Sequence, residues 1–368
     1  MNIQINQQDL IHSLELISRV SIKHVTLPVL QCVLIKAEDG VVTFTATNLE
    51  ISIEVTKPAT VEQSGVVAVS AATLLQSVQY ITKKDISLHI EEGVMVVTSG
   101  TGVTKINTMP HEEFPNLTKL EGTGTVMKRQ FFAMGIKTVA FAASVSSIKP
   151  ELGSIFIQQK KEHSLTFVAT DSFRLMEKTV PQQGFVLAQP LLIPQKNAAE
   201  LARVCESLEN DPELIINDNQ CALHFSDGVY VTSRLVAGSF PDYEQIIPKE
   251  YSTHTTVLKQ DLVQLFKKTQ IFLNKFMQVS LAVEGSTLTI SSQNGEVGAT
   301  TDSVKVSTEG ADIKLNFNQQ YVLDPLSHIS DESVTLHFAG IGRPLVIKGH
   351  TTKTTTVGWS FLFICLLF

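Results

Sequence analysis

Apolar residues recur at helical spacing, at positions i, i+4 and i+7, in six stretches of the chain. A helix that buries one face shows such a stripe, so each stretch predicts a helix. The predicted helices span 7–19, 71–82, 128–144, 195–208, 259–273 and a stretch that begins at Gln319 with Asn318 as its cap. The first helices of successive pairs, at Leu10, Phe132 and Leu258, lie 122 and 126 residues apart. This spacing indicates a unit of about 120 residues used three times.

Alternation of apolar and polar residues between these helices predicts strands. They are Val41–Thr47, 51–55, 86–90, 94–97, Ser154–Gln158, Ser164–Thr170, 174–176, 279–283, 287–291, 334–338 and 345–347. Each unit then has two helices on one face of an antiparallel sheet, which makes the fold class α+β. Three units could join their sheets end to end, and a closed ring is one way to remove exposed sheet edges.

Two similar breaks mark the ends of the first two units. Phe114-Pro115-Asn116 and Phe240-Pro241-Asp242 suit neither helix nor strand interiors, because proline lacks an amide donor. With a short polar linker at 122–125, the predicted domains are 1–121, 126–246 and 247–368. Pro325 falls inside the last predicted helix and should kink it, at a cost of about 3 kcal/mol if nothing compensates.

The net charge of −7 argues at first against a nucleic-acid binder. The predicted helices and the one or two residues that follow them, however, carry twelve basic and seven acidic residues, so positive charge is concentrated in one structural class. If all helices lie on one side, that side attracts phosphate, and Lys83, Lys137 and Arg203 become candidates for it. The alternative is that lysine is simply a good solvated helix former.

Motifs for catalysis and metal binding are missing from the sequence. The four cysteines are scattered without a CxxC pair, which suits a reducing cytosol, and the first residues do not form a signal peptide. No phosphate loop, GxGxxG, HExxH or GxSxG is present, so no cofactor or metal is expected. Asp171, Ser172 and Arg174 could suggest a hydrolytic site. A turn bearing Phe173 and Leu175 beside Pro241 better fits an apolar cleft for a peptide, although both residues could also be ordinary core.

Several stretches together resemble the bacterial sliding clamp family, the beta subunit of DNA polymerase III. They are Thr26-Leu27-Pro28-Val29-Leu30, Phe114-Pro115-Asn116-Leu117, Val168-Ala169-Thr170-Asp171-Ser172-Phe173-Arg174-Leu175, Leu235-Val236-Ala237-Gly238-Ser239-Phe240-Pro241-Asp242-Tyr243, and Asn318 with Tyr321, Leu323 and Asp324. The resemblance covers about residues 1–357. It implies three repeated clamp domains, a head-to-tail homodimer forming a ring, and helices lining the hole.

The family's function follows as an expectation. The ring would encircle double-stranded DNA without reading its sequence and tether the replicative polymerase, the clamp loader and other proteins that carry a clamp-binding motif. The chain itself would be cytoplasmic, non-catalytic and free of cofactors, since the loader is the subunit that uses ATP. A runner-up is a clamp-like interaction scaffold with a degraded pocket that never holds DNA. An enzyme is a third alternative.

The resemblance also places site residues. The partner-peptide pocket would use Leu152, Thr170, Ser172, Phe173, Arg174, Leu175, Pro241 and Ile246, with Arg174 as a donor at the rim. Further DNA-binding candidates are Lys23, His24 and Lys149, and the dimer interface would join Thr104 to Ile271 and Phe272 of the other chain. Ser172-Phe173 stands where the family commonly has Gly-His, so the pocket floor is expected to differ.

The end of the chain departs from the family. The family closes with a strand carrying an apolar-Pro-apolar triplet and a basic residue, whereas residues 357–368 are VGWSFLFICLLF. This run is too short for a membrane span, which needs about 20 residues. It could be a variant strand, a shifted reading frame or an unusual tail, and in each case weaker peptide binding is expected.

Overall fold

The computed structural model describes residues 1–21, 27–146 and 148–350, and beyond them the backbone of one strand, Ser360–Cys365. Within these residues all six predicted helices are present. They are α1 (Gln7–Ile17), α2 (Ala71–Val78), α3 (Arg129–Val139), α4 (Gln195–Ser207), α5 (Lys259–Thr269) and α6 (Gln319–Leu326). Short 3-10 turns follow α3 and α5 directly, at Ala140–Ala142 and Gln270–Phe272, which accounts for the longer helices predicted there.

Local sequence explains where the helices begin and end. The side chain of Asn6 accepts hydrogen bonds from the amides of Gln8 and Asp9, and that of Asn318 accepts from Gln320, as predicted for a cap. Helix α6 ends one residue after Pro325, so this proline lies in the last turn. Proline at that place removes at most one backbone hydrogen bond, and the predicted kink stays a prediction.

The strands follow the predicted alternation closely. They are β1 (Asn2–Asn6), β2 (Cys32–Glu38), β3 (Val41–Thr47), β4 (Ile51–Pro58), β5 (Thr60–Gln63), β6 (Gly65–Ser70), β7 (Asp85–Glu91), β8 (Val94–Ser99), β9 (Gly102–Met109), β10 (Thr125–Val126), β11 (Ser154–Gln158), β12 (Ser164–Thr170), β13 (Arg174–Pro181), β14 (Leu191–Pro194), β15 (Glu213–Ile216), β16 (Gln220–His224), β17 (Val229–Arg234), β18 (Thr253–Leu258), β19 (Gln278–Glu284), β20 (Thr287–Asn294), β21 (Gly298–Lys305), β22 (Ser307–Gly310), β23 (Ile313–Asn318), β24 (Ser333–Phe338), β25 (Leu345–Gly349) and β26 (Ser360–Cys365). All pairings are antiparallel, which confirms the α+β class.

The chain divides into two compact units, called unit 1 and unit 2 below, which differ from the three predicted repeats of about 120 residues. Unit 1 comprises Met1–Gln130 and Glu200–Leu235. Its described strands form one sheet in the order β10-β15-β16-β17-β4-β3-β2-β6-β9-β8-β7-β1-β5. Helix α1 buries Leu10, Leu14 and Ile17 completely, and α2 buries Leu74. The predicted three-domain boundaries stay a prediction.

Unit 2 comprises Phe131–Ala199 and Val236–Phe368. Its described strands form two sheets, β14-β11-β12-β13-β26-β25-β24-β18-β22 and β21-β20-β19-β23. Helix α3 packs so closely on the first sheet that a Cβ at Gly135 would stand 2.4 Å from ring atoms of the buried Phe167. A glycine in mid-helix, normally unfavourable, is required here by this contact.

One turn motif occurs in both units and supports the predicted repeat. Between β3 and β4, the Asn48 side chain accepts from the amides of Glu50 and Ile51 at 3.0 and 2.9 Å. Between β12 and β13, Asp171 accepts from the amides of Phe173 and Arg174, both at 2.9 Å. The residue after each acceptor has a positive φ, 75° for Leu49 and 78° for Ser172.

Each of these turns leads into a strand that pairs with a strand from much later in the chain. In unit 1, β4 pairs with β17 over Ile51 to Val55. In unit 2, β13 pairs with β26 from Arg174↔Cys365 to Thr179↔Ser360. The C-terminal stretch therefore forms a strand, as the variant-strand alternative predicted. The side chains of 351–368, and the predicted effect of the missing triplet on the pocket, lie outside the described residues.

Candidate functional site

The β12–β13 turn in unit 2 carries most of the predicted pocket residues. The Thr170 hydroxyl donates to the Arg174 carbonyl at 2.7 Å and accepts from the Ser172 amide at 3.2 Å. Together with the bonds that Asp171 accepts, these bonds hold the backbone of the turn in one arrangement. They place Phe173 outward, with 53% of the residue exposed.

Arg174 points inward rather than to the rim. Its Nε donates to Asp171 Oδ2 at 3.0 Å and its Nη1 to Asp324 Oδ2 at 2.6 Å, and only 15% of its side chain is exposed. The guanidinium lies 5.4 Å from the ring centre of Phe141 and 5.0 Å from that of Tyr321. Through these contacts Arg174 has a structural role, because it links the turn to α6. This role differs from the predicted one, a donor at the rim of the pocket.

The apolar residues of the predicted pocket divide into a buried and an exposed set. Leu175 is fully buried in a cluster with Val168, Tyr243 and Val346, so it forms the floor beneath the surface rather than an open wall. Leu152 and Thr170 are buried as well. The surface itself is contributed by Ser172, Phe173, Pro241 and Ile246, which are exposed.

The segment that carries Pro241 and Ile246 is held by aromatic and ionic contacts. Phe240 stacks on Phe156 with ring centres 4.8 Å apart and an angle of 5° between the planes. Tyr243 opens the 3-10 turn Tyr243–Ile246, and its hydroxyl donates to Glu177 Oε2 at 2.5 Å. The Lys160 ammonium bridges Glu177 at 2.8 Å and Glu244 at 2.7 Å.

Sequence analysis missed this ionic cluster, because its members lie far apart in the sequence, on strand β13, just after strand β11 and in the 3-10 turn. Burial by itself would lower the pKa of Lys160, but hydrogen bonds to Glu177, Glu244 and Tyr243 outweigh burial and raise it. Burial and the hydrogen bond to Glu177 raise the pKa of Tyr243. Lys160 is therefore charged and Tyr243 protonated throughout the physiological range.

The predicted DNA-binding residues differ in what they already contact. Lys83, Lys137 and Lys149 are exposed, whereas Lys23 and His24 lie outside the described residues. Arg203 donates from Nη2 to the Leu16 carbonyl at 2.6 Å and from Nε to Glu200 at 2.7 Å. Its guanidinium thus caps the end of α1, and a DNA contact would have to compete with these bonds.

The predicted interface residues lie beside strand edges that are only partly paired. Thr104 is exposed on β9, and residues 102–107 of this strand pair on one side only, with β8, among the described strands. Strand β21 likewise pairs only with β20 in the described chain. Ile271 is 71% exposed, and Phe272, half-buried, lies against Gly298 at the start of β21.

Further exposed apolar side chains near these edges were not predicted from the sequence. In unit 1 they are Tyr80 and Val103, and in unit 2 Phe276 and Val297. A helical stripe marks residues that face the core, so apolar residues just outside it, such as Tyr80 after α2, give no periodic signal.

Family models match nearly the whole chain. The N-terminal, central and C-terminal domains of the DNA polymerase III beta subunit match residues 1–118, 126–242 and 244–357. The chain belongs to the DNA polymerase III beta subunit family. This confirms the resemblance, the clamp-domain fold and the non-catalytic class predicted from the sequence.

Individual relatives agree with the family. The beta sliding clamp of Salmonella typhimurium is 28% identical over 91% of this chain and 92% of its own length. That of Buchnera aphidicola from Acyrthosiphon pisum is 25% identical over 100% of this chain and 99% of its own. The crystal structure of the beta subunit from Thermotoga maritima has a TM-score of 0.91 at 24% identity and covers 100% of this chain and 99% of that one. The sliding-clamp function is therefore confirmed, and the scaffold alternative is not favoured.

Proposed function

We propose that this chain forms a homodimeric ring around double-stranded DNA and tethers the replicative polymerase through the surface at Ser172, Phe173, Pro241 and Ile246. The relatives' name, sliding clamp, supports the ring. Exposed apolar groups on a well-fixed turn support the peptide site, because such groups gain about 1.5–3 kcal/mol each when a peptide covers them fully. Ordering the peptide offsets part of this gain, so micromolar affinity is expected.

Ring closure follows from the strand junctions, which are the observation that carries the proposal. Strand β4 pairs with β17, and β13 pairs with β26. By the repeat, β21 corresponds to β4 and β13, whereas β9 corresponds to β17 and β26. The third junction would then join β21 of one copy to β9 of a second copy, antiparallel and without a large rearrangement.

DNA would be held by topology and by weak phosphate contacts. Lys83, Lys137 and Lys149 are exposed, and contacts from them to phosphate would suit a protein that must slide, because phosphates are the same in every sequence. Lys23 and His24 stay candidates by resemblance, and Arg203 by charge. We place the protein in the cytoplasm, where replication takes place in bacteria. No helix in the described residues has the length and apolarity needed to cross a membrane.

Loading on closed and cut DNA tests the proposal. After incubation with a clamp loader and ATP, the protein should remain on a nicked circle through gel filtration and leave once the circle is cut. Retention on the circle should change little with salt, since a linked ring needs no phosphate contact to stay on. Salt-sensitive retention that is equal on circular and linear DNA would contradict a clamp.

Charge reversal separates DNA contact from topology. Lys83→Glu, Lys137→Glu and Lys149→Glu together should slow loading equally on DNA of any sequence, because phosphates are the same everywhere. The control is reversal of Lys314, an exposed lysine on β23. A strong dependence of loading on DNA sequence, in either protein, would count against this proposal.

A further inference from the structure

We propose that the cluster of Lys160, Glu177 and Tyr243, in which Glu177 and Tyr243 are buried, is a positioning device for the peptide site. It would set the place of Ile246 relative to the β12–β13 turn, and so control peptide affinity from beneath the surface. This inference rests on the peptide site proposed above and assigns to it residues other than the four exposed ones that form its surface.

The first link joins the turn to the strand. The Tyr243 hydroxyl donates to Glu177 Oε2 at 2.5 Å and accepts from Gln158 Nε2 at 3.2 Å. Glu177 comes two residues after Leu175 in β13, so both side chains leave the same face of the sheet. The hydrogen bond from this hydroxyl therefore fixes the position of Tyr243 relative to β13, the strand that carries Leu175 of the pocket floor.

The second link is ionic. Lys160 bonds Glu177 and Glu244 at 2.8 and 2.7 Å, and its ammonium lies 4.7 Å from the ring centre of Tyr243. Glu244 follows Tyr243 in the same 3-10 turn, two residues before Ile246. Adjacent residues of the turn are thus bound to one carboxylate of the strand, directly and through Lys160.

Apolar packing alone would not fix the turn so narrowly. Tyr243 shares a cluster with Leu175 and Val168, but contacts of this kind are non-directional and tolerate small shifts. Charge-assisted hydrogen bonds in a poorly solvated place are directional and strong. Removing the hydroxyl should keep Tyr243 buried while allowing the turn, with Ile246, to shift.

The experiment is a double-mutant cycle on peptide binding in the full chain. The probe is a fluorescent C-terminal peptide of the replicative polymerase, and Kd is read from anisotropy for wild type, Tyr243→Phe, Ile246→Ala and both together. We expect Tyr243→Phe to raise the Kd for the peptide about 3- to 10-fold. In the Ile246→Ala background it should change Kd less than 2-fold, because the side chain that it positions is gone.

A matched control removes a hydroxyl elsewhere. Tyr230 is also buried, and its hydroxyl accepts from the Leu120 amide at 2.8 Å in unit 1. Tyr230→Phe should leave peptide Kd unchanged. Glu244→Gln, at a largely exposed side chain, breaks only the outer ionic bond and should weaken binding less than Tyr243→Phe but in the same direction.

The outcomes separate this inference from the peptide site itself. Equal loss from Tyr243→Phe in both backgrounds would mean a general structural effect and would overturn the inference, as would an unchanged Kd for both Tyr243→Phe and Glu244→Gln. Leu175→Asp should abolish binding. If it binds the peptide like wild type, the proposed site is wrong, whatever the cycle shows.

Discussion

Individual residues of the β12–β13 turn have structural roles that their residue types alone do not predict. Arg174 was expected to face a peptide, yet both of its bonded nitrogens serve aspartates within the unit. The sequence could identify the turn, because an Asp side chain accepts hydrogen bonds from backbone amides two or three residues later and so favours a turn. It could not show which way Arg174 points, because Asp324 is 150 residues away along the chain.

Ser172 offers a test at this scale. Its φ of 78° lies in the left-handed region, where a side chain costs about 1 kcal/mol relative to glycine. Ser172→Gly should therefore raise the free energy of unfolding by up to about 1 kcal/mol, measured in urea. Ser286→Gly is the control, an exposed turn serine without positive φ, and should be neutral or destabilising. A loss of stability in Ser172→Gly as large as that in the control would contradict strain at this turn.

At the scale of elements, the close approach of α3 to β12 depends on one missing side chain. Gly135→Ala should gain helix propensity of about 1 kcal/mol. It would also place a methyl group 2.4 Å from the ring of Phe167, and such overpacking typically costs about 1–3 kcal/mol. We expect a net loss of thermal stability, partly recovered by adding Phe167→Leu.

The control for this substitution is Gly295→Ala. A Cβ there meets no atom within 4 Å, and its φ is not in the left-handed region. It should therefore change the melting temperature little. Equal melting temperatures for Gly135→Ala and wild type would show that α3 can move away from β12 at no cost.

Strands β18 and β24 carry a pair of histidines that makes stability depend on pH. The Nδ1 atoms of His254 and His337 are 2.7 Å apart. Burial first, and then the positive charges of Lys348 and His254, lower the pKa of His337 to about 4. The unfolded chain, with a histidine pKa near 6.5, binds a proton that the folded chain refuses. The stabilising contribution is thus complete above about pH 6.5 and is lost as the pH falls toward 4.

This prediction is checked by urea unfolding at pH 7 and pH 5. Wild type should lose more free energy of unfolding over this interval than His337→Gln, which has no proton to bind at that position. Because His337 is only partly buried, solvent screening makes the difference smaller than the pKa alone implies. Replacing the exposed His163 by Gln serves as the control. An equal pH dependence in wild type and His337→Gln would refute this prediction.

Elements were the most predictable level of this protein. Helices such as α1 and strands such as β12 follow from periodicity, because burial of one face leaves a direct mark on sequence. The ends of α3 and α5 were placed too late, because each helix passes directly into a 3-10 turn whose apolar residues resemble a further helical turn. The Lys160–Glu177–Tyr243 cluster left no mark on the sequence, because its contacts join segments that only the fold brings together.

At the scale of the whole molecule, the repeat leaves one junction unmade within a single chain. Edges left open on β9 and β21 would invite pairing with any strand, and proteins usually protect such edges. The exposed apolar groups beside both, Val103 and Tyr80 on one and Ile271 and Val297 on the other, suit a specific partner. In a dimer, β21 of each copy can pair with β9 of the other. Both junctions are then made, and the assembly closes at two chains.

Disruption of this contact gives the last prediction. Replacing Ile271 and Phe272 by Asp should convert the dimer to a monomer at micromolar concentration, because burying an unpaired charge in an apolar contact costs several kcal/mol. Sedimentation velocity measures the outcome. Val186→Asp is the control, since Val186 is 71% exposed, equal to Ile271, but belongs to the connection between β13 and β14 rather than to β9, β21 or a segment adjoining them. A dimer that survives the double substitution, or one that Val186→Asp breaks as readily, would place the interface elsewhere and leave the β9–β21 junction without support.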